Sequence, residues 1–171
     1  TDITVTGTGN TGALAGTVEG DVNIHNIKVD GVSTVTSTGG NTGGLIGVSA
    51  SNITRSSATV EVTSTSGDNI GGLVGSTTGT IDGSFASGRV TSAGNNTGGL
   101  VGNTTADITN SYAPCHVTGN NQTGGLAGNT TAETTTSYAH GPVTGNNYVG
   151  GLAGHTNGSV NHRTAGGPVT G

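Results

Sequence analysis

Gly98-Gly99-Leu100-Val101-Gly102 decides the fold, because it returns along the chain at a nearly constant interval. Further copies stand at Gly43-Gly44-Leu45-Ile46-Gly47, Gly71-Gly72-Leu73-Val74-Gly75, Gly124-Gly125-Leu126-Ala127-Gly128 and Gly150-Gly151-Leu152-Ala153-Gly154. Gly12-Ala13-Leu14-Ala15-Gly16 is a weaker one. Leu14, Leu45, Leu73, Leu100, Leu126 and Leu152 are successively 31, 28, 27, 26 and 26 residues apart. A unit of this length cannot bury its own apolar face, so it must stack on its neighbours.

Aligning the units exposes three segments in each. The first centres on Val-Thr: Val35-Thr36, Val62-Thr63, Val90-Thr91, Val117-Thr118, Val143-Thr144 and Val169-Thr170. A turn rich in Asn, Gly and Thr leads to the Gly-Gly-Leu segment. A polar link then leads to the third, which begins at Ile53, Ile81, Ile108, Thr134 or Val160 and reaches Ala58, Ala86, Ala113, Ala139 or Ala165. Each segment is short, β-branched or alternating, and bounded by turn residues, which is a strand signature. None sustains an apolar stripe of period 3.6, and the glycine density penalises helix. The expected architecture is an all-β parallel β-solenoid of about 5–6 coils of 26–31 residues, with three short strands per coil. At about 4.8 Å per coil the rod is roughly 25–30 Å long.

Stacking places like on like. Leu45, Leu73, Leu100, Leu126 and Leu152 form a core ladder, the valines of Val-Thr a second, and the alanines a tight third side. The residue after an inward Val points outward. Thr36, Thr63, Thr91, Thr118, Thr144 and Thr170 are therefore expected as an exposed Thr ladder, with Thr77, Thr104, Thr130 and Thr156 as another candidate row near a corner. Asn103 and Asn129 align and are expected to share amide hydrogen bonds. Phe85, Tyr112 and Tyr138 share one repeat position, read either as a stacked structural ladder or as a sugar-stacking platform. The paired glycines are expected to provide a bend or a positive φ.

Residues 1–171 read as one repeat domain. Residues 1–31 form a divergent first coil or partial cap, and 32–171 form regular coils with an open C-terminal end, where unpaired strand edges invite association. The core is thin, because aromatics make up 2% of residues and Met and Trp are absent. Four basic residues, Lys28, Arg55, Arg89 and Arg163, are scattered in a chain of net charge -5. They form no patch for nucleic acid. No apolar run reaches membrane-spanning length.

The search for chemistry finds no catalytic or metal constellation and implies no cofactor. His25, His116, His140, His155 and His162 occupy different repeat positions, without the paired spacing of metal ligands. Asp82 and Asp107 are near-equivalent in two coils, but Thr135 and Asn161 break the acidic pattern. Gly7-Thr8-Gly9-Asn10-Thr11-Gly12 matches G-x-G-x-x-G without its strand-to-helix context. The single Cys115 excludes an internal disulfide. Glycosylation sequons begin at Asn52, Asn95, Asn103, Asn121, Asn129 and Asn157.

Gly98 to Val117, with Gly-Gly-Leu-Val-Gly, Ile108, Asn110-Ser111-Tyr112-Ala113 and Val117, resembles the GLUG-motif repeats of bacterial surface proteins. The likeness extends over about Val32 to Gly171. It implies a place in large secreted or cell-surface proteins, among them adhesin-like proteins and immunoglobulin A-cleaving metallopeptidases. The zinc motif His-Glu-x-x-His of those peptidases is absent here, so their activity does not carry over. The expectation is a non-enzymatic extracellular or cell-surface module acting as spacer, stalk or self-stacking fibre subunit. Its partners are further copies or flanking repeats, or an unidentified surface glycan or host ligand. Ice binding through the Thr ladders and carbohydrate binding are the alternatives.

Overall fold

The computed structural model describes residues 3–31, 33–161 and 164–171. Val32, His162 and Arg163 thus lie outside the described residues, and with them the readings made of that histidine and arginine. The described chain is all-β and coils into a parallel β-solenoid of about six turns, with no helix among the described residues. Every strand pairs in parallel with its counterpart one coil away, and the order within each sheet follows the order of the coils.

Five sheets line the rod. Sheet I carries the Val-Thr segment: Thr4–Gly7, Thr34–Ser37, Glu61–Ser64, Arg89–Ser92, His116–Thr118, Val143–Thr144 and Val169–Thr170. Sheet II begins at Thr42–Gly43 and continues through Ile70–Gly71, Thr97–Gly98, Asn121–Gly124 and Asn147–Gly150. A bridge from Thr11 to Thr42 joins the first coil to it. Sheet III holds Ala15–Val18, Ile46–Ser49, Val74–Thr77, Val101–Thr104, Ala127–Thr130 and Ala153–Thr156. Sheet IV comprises Ile24–His25, Ile53–Thr54, Ile81–Asp82, Ile108–Thr109, Thr134–Thr135 and Val160–Asn161. Sheet V comprises Lys28–Val29, Ser57–Thr59, Phe85–Ser87, Tyr112–Ala113, Tyr138–Ala139 and Thr164–Ala165.

Three segments per coil thus resolve into five short strands, because two of the segments bend. The Gly-Gly-Leu segment turns at its second glycine and leucine, dividing sheet II from sheet III. The third segment turns at a left-handed residue, dividing sheet IV from sheet V. That residue is Asn26, Arg55, Gly83, Asn110 or Thr136, with φ of 58°, 47°, 58°, 49° and 50°.

The paired glycines serve a purpose other than positive φ, since none of them lies in the left-handed region. They allow close approach. A Cβ on Gly72 would stand 2.1 Å from the carbonyl oxygen of Gly99 in the next coil and 2.9 Å from Ala86 Cβ across the core. Gly44 faces Ala58 and Gly125 faces Ala139 in the same way, at 3.0 and 2.9 Å. The glycine row and the alanine ladder are two sides of one narrow waist. Each explains why the other is small.

The remaining core is a set of aligned apolar rows. Leu45, Leu73, Leu100 and Leu126 are fully buried, and each leucine N–H donates to the leucine carbonyl one coil on, at 2.8–2.9 Å. Leu152 is half-buried and Leu14 is 50% exposed, since each belongs to an outermost coil. Val35, Val62, Val90, Val117 and Val143 stack in register in sheet I, and Ile24, Ile53, Ile81 and Ile108 in sheet IV.

Candidate functional surfaces

Sheet I alternates between buried and partly exposed residues, so Val faces in and Thr faces out. Thr36, Thr63, Thr91 and Thr118 are half-buried, because copies of the same residue lie above and below; Thr144 and Thr170 are exposed. The second row behaves differently and corrects its reading as a surface ladder. Thr77, Thr104 and Thr130 are buried, and their hydroxyls donate to the carbonyls of Gly79, Ala106 and Ala132 at 3.1, 3.0 and 3.4 Å. The N–H groups of Gly79 and Ala106 donate back to those hydroxyls. Thr156, which is exposed, makes the same pair of bonds with Gly158. The row is a set of turn locks between sheets III and IV, since a short hydroxyl side chain satisfies a local backbone turn.

A third hydroxyl row escaped the sequence reading. Ser56, Ser84, Ser111 and Ser137 are buried at the corner between sheets IV and V. The N–H of Ser56, Ser84 and Ser111 donates to the serine hydroxyl one coil on, at 3.0–3.2 Å. Each hydroxyl in turn donates to the carbonyl two residues before it. The signal was available, because these serines recur at 28, 27 and 26 residues.

Amide ladders are more extensive than Asn103 and Asn129 alone. Asn129 Nδ2 donates to Asn103 Oδ1 at 2.7 Å, and His155 Nδ1 lies 2.8 Å from Asn129 Oδ1. Two longer ladders run side by side at the corner between sheets I and II. In one, Asn41, Asn69 and Asn96 each donate through Nδ2 to the Oδ1 of Asn10, Asn41 and Asn69, at 2.9, 2.7 and 2.7 Å. In the other, Asn95, Asn121 and Asn147 donate to Asp68, Asn95 and Asn121, at 3.0, 2.7 and 2.7 Å. The first ladder ends at Asn96, whose Oδ1 is buried without a donor, because the next residue in the row is the longer Gln122. The ladders bear on the sequons: the Nδ2 atoms of Asn95, Asn121 and Asn129 are ladder donors, whereas Asn52 and Asn157 are exposed and Asn103 accepts.

The aromatic row is a face-to-face stack. Phe85 and Tyr112 lie 4.8 Å apart at 8°, and Tyr112 and Tyr138 5.0 Å apart at 7°. His140 stands 5.4 Å from Tyr138 at a tilt of 57°. The rings use their faces on one another, so the stack offers no open platform between Phe85 and Tyr138.

Titratable groups are dispersed. Among the described residues, no three His, Cys, Asp or Glu side chains are placed to hold a metal ion. His25 Nδ1 is 2.9 Å from Thr54 Oγ1. The register separates the two aspartates that the sequence alignment set near each other: Asp82 pairs with Thr109, whereas Asp107 accepts from the N–H of Glu133 at 3.0 Å. Hydrogen bonds from Thr109 and then Asn110, at 2.7 and 2.9 Å, hold the Asp82 carboxyl below its ordinary value of 3.8. Cys115 is fully buried, and burial pushes its thiol up from 9.0 to about 12. A thiol so far from ionising is a poor nucleophile. Its Sγ lies 3.3 Å from the carbonyls of Ala86 and Gly99.

Asparagine side chains hydrogen-bonded to their counterparts one coil away, and aromatic rings stacked on theirs, therefore make up much of the surface. No family model, curated protein or solved structure matches the chain.

Proposed function

We propose that the chain is a non-enzymatic repeat module of GLUG type, acting as a spacer, stalk or self-stacking fibre subunit in an extracellular adhesive structure. The observation that carries this reading is the unbroken register. Val5, Val35, Val62, Val90, Val117, Val143 and Val169 pair in succession along one sheet, and the polar rows follow the same stacking. Such a rod lengthens by adding equivalent coils, each contacting its neighbours. A strand edge at an outermost coil accepts a further coil through the same pairing, from this chain or from another copy.

Light scattering and electron microscopy of the purified chain test the fibre form. The expected result is concentration-dependent filaments of uniform width. A monomer at every concentration and salt condition overturns self-stacking. Ice binding is the second reading, favoured by the outward Thr36 row and weakened by the inward Thr77 row. The absence of thermal hysteresis in concentrated protein rules it out.

A further inference from the structure

We infer that the corner between sheets I and II is a binding groove for an extended neutral glycan, with Tyr148 as its stacking platform. Asp68, Asn95, Asn96, Asn121, Gln122 and Tyr148 line an open groove of about 480 Å³ there. Tyr148 is the residue that the scaffold does not explain. It is 68% exposed, so it adds little to the core. It also holds φ at 53°, in a row whose other left-handed members are Asn69, Asn96 and Gln122 at 60°, 51° and 49°. Asparagine tolerates that conformation through its short polar side chain, whereas an aromatic residue there is strained. A strained, exposed ring beside a polar groove is what a stacking contact needs.

The groove also has the chemistry for hydroxyl groups. Asn95 and Asn121 each use one N–H and one oxygen lone pair along the ladder. An amide carries a second N–H and a second lone pair, so one donor and one acceptor remain on each of Asn95 and Asn121. Neighbouring sugar hydroxyls present the complementary pairs. The groove from Asp68 to Tyr148 crosses four coils, a straight run of about 14 Å at the coil spacing. That length and straightness suit an extended β-linked chain over a coiled α-linked one. The one charged lining residue is Asp68, and the described cations Lys28, Arg55 and Arg89 lie elsewhere, so an anionic strand is disfavoured. The groove stands independently of the spacer or fibre reading.

Calorimetric titration of the chain with cellohexaose, xylohexaose and mannohexaose, and with maltohexaose as the coiled control, tests the site. At least one β-linked hexaose is expected to bind, with maltohexaose clearly weaker. Tyr148→Ala is expected to weaken binding by about tenfold or more, and Tyr148→Phe to keep it within about twofold, since the ring face carries the contact. Circular dichroism of both variants should match the parent, because the side chain is exposed. Absence of binding to all three β-linked hexaoses overturns the proposal, as does unchanged binding by a folded Tyr148→Ala. Equal binding of maltohexaose overturns the extended-chain assignment. None of these results alters the microscopy outcome expected for the fibre form.

Discussion

Gly99 carries one of the strictest steric demands in the repeat. A Cβ there would sit 2.1 Å from the Gly125 carbonyl oxygen, 3.0 Å from Ala113 Cβ and 3.2 Å from Cys115 Cβ. The backbone oxygen cannot move without parting two coils, so Gly99→Ala is expected to cost about 3 kcal/mol or more. Gly151 occupies the same repeat position one coil beyond Gly125, yet its Cβ would meet only Ala165 Cβ at 3.2 Å and Val169 Cγ2 at 3.5 Å. Gly151→Ala should cost under about 1 kcal/mol. Urea midpoints of the two variants measure the contrast, and equal losses would mean that conformational freedom, rather than close approach, is what the glycine provides. Cys115 lies against the same waist, which accounts for a buried thiol held far from reactivity.

The inward row of sheet II shows how uneven the elements are. Thr42, Thr97 and Thr123 are buried there with hydroxyls that have no hydrogen-bond partner, while Ile70 and Val149 fill the equivalent places. A buried, unpaired hydroxyl is a net cost. Thr97→Val keeps the shape and removes that cost, so thermal unfolding should show a gain of about 1 kcal/mol. A loss instead would reveal that the hydroxyl is satisfied by a buried water. Much of this level was legible beforehand, because Leu100, Val117 and Ile108 recur at core positions and register follows from recurrence. The direction of Thr77 was not. Alternation along a strand distinguishes inside from outside only while the strand stays straight, and this one ends in a turn that its own hydroxyl closes. Nor was Tyr148 legible as a site residue, because its row reads as turn chemistry until the backbone places it beside Asn121 and Asp68.

At the scale of the molecule, the contacts are nearly all between neighbouring coils, so the rod behaves as a one-dimensional stack. Deleting residues 99–124 removes one coil of 26 residues and joins Gly98 to Gly125-Leu126, which restores the motif. The shortened chain is expected to fold, with the same circular dichroism spectrum and a rod about 4.8 Å shorter by small-angle scattering. Removing residues 99–111 deletes half a coil and should abolish cooperative unfolding, because the apolar rows no longer align. If both deletions unfold alike, the coils do not act as equivalent units.

The aromatic column has an optical consequence. The chain contains no Trp and only three Tyr, so its intrinsic fluorescence belongs to Tyr112, Tyr138 and Tyr148. The first two are stacked 5.0 Å apart, whereas the third stands in solvent beside the groove. The stacked pair couples electronically, so its near-ultraviolet signal gauges whether adjacent coils are seated. Tyr148 emission gauges occupancy of the groove. The molecule thus carries two unlabelled spectroscopic probes, one for its assembly and one for its surface.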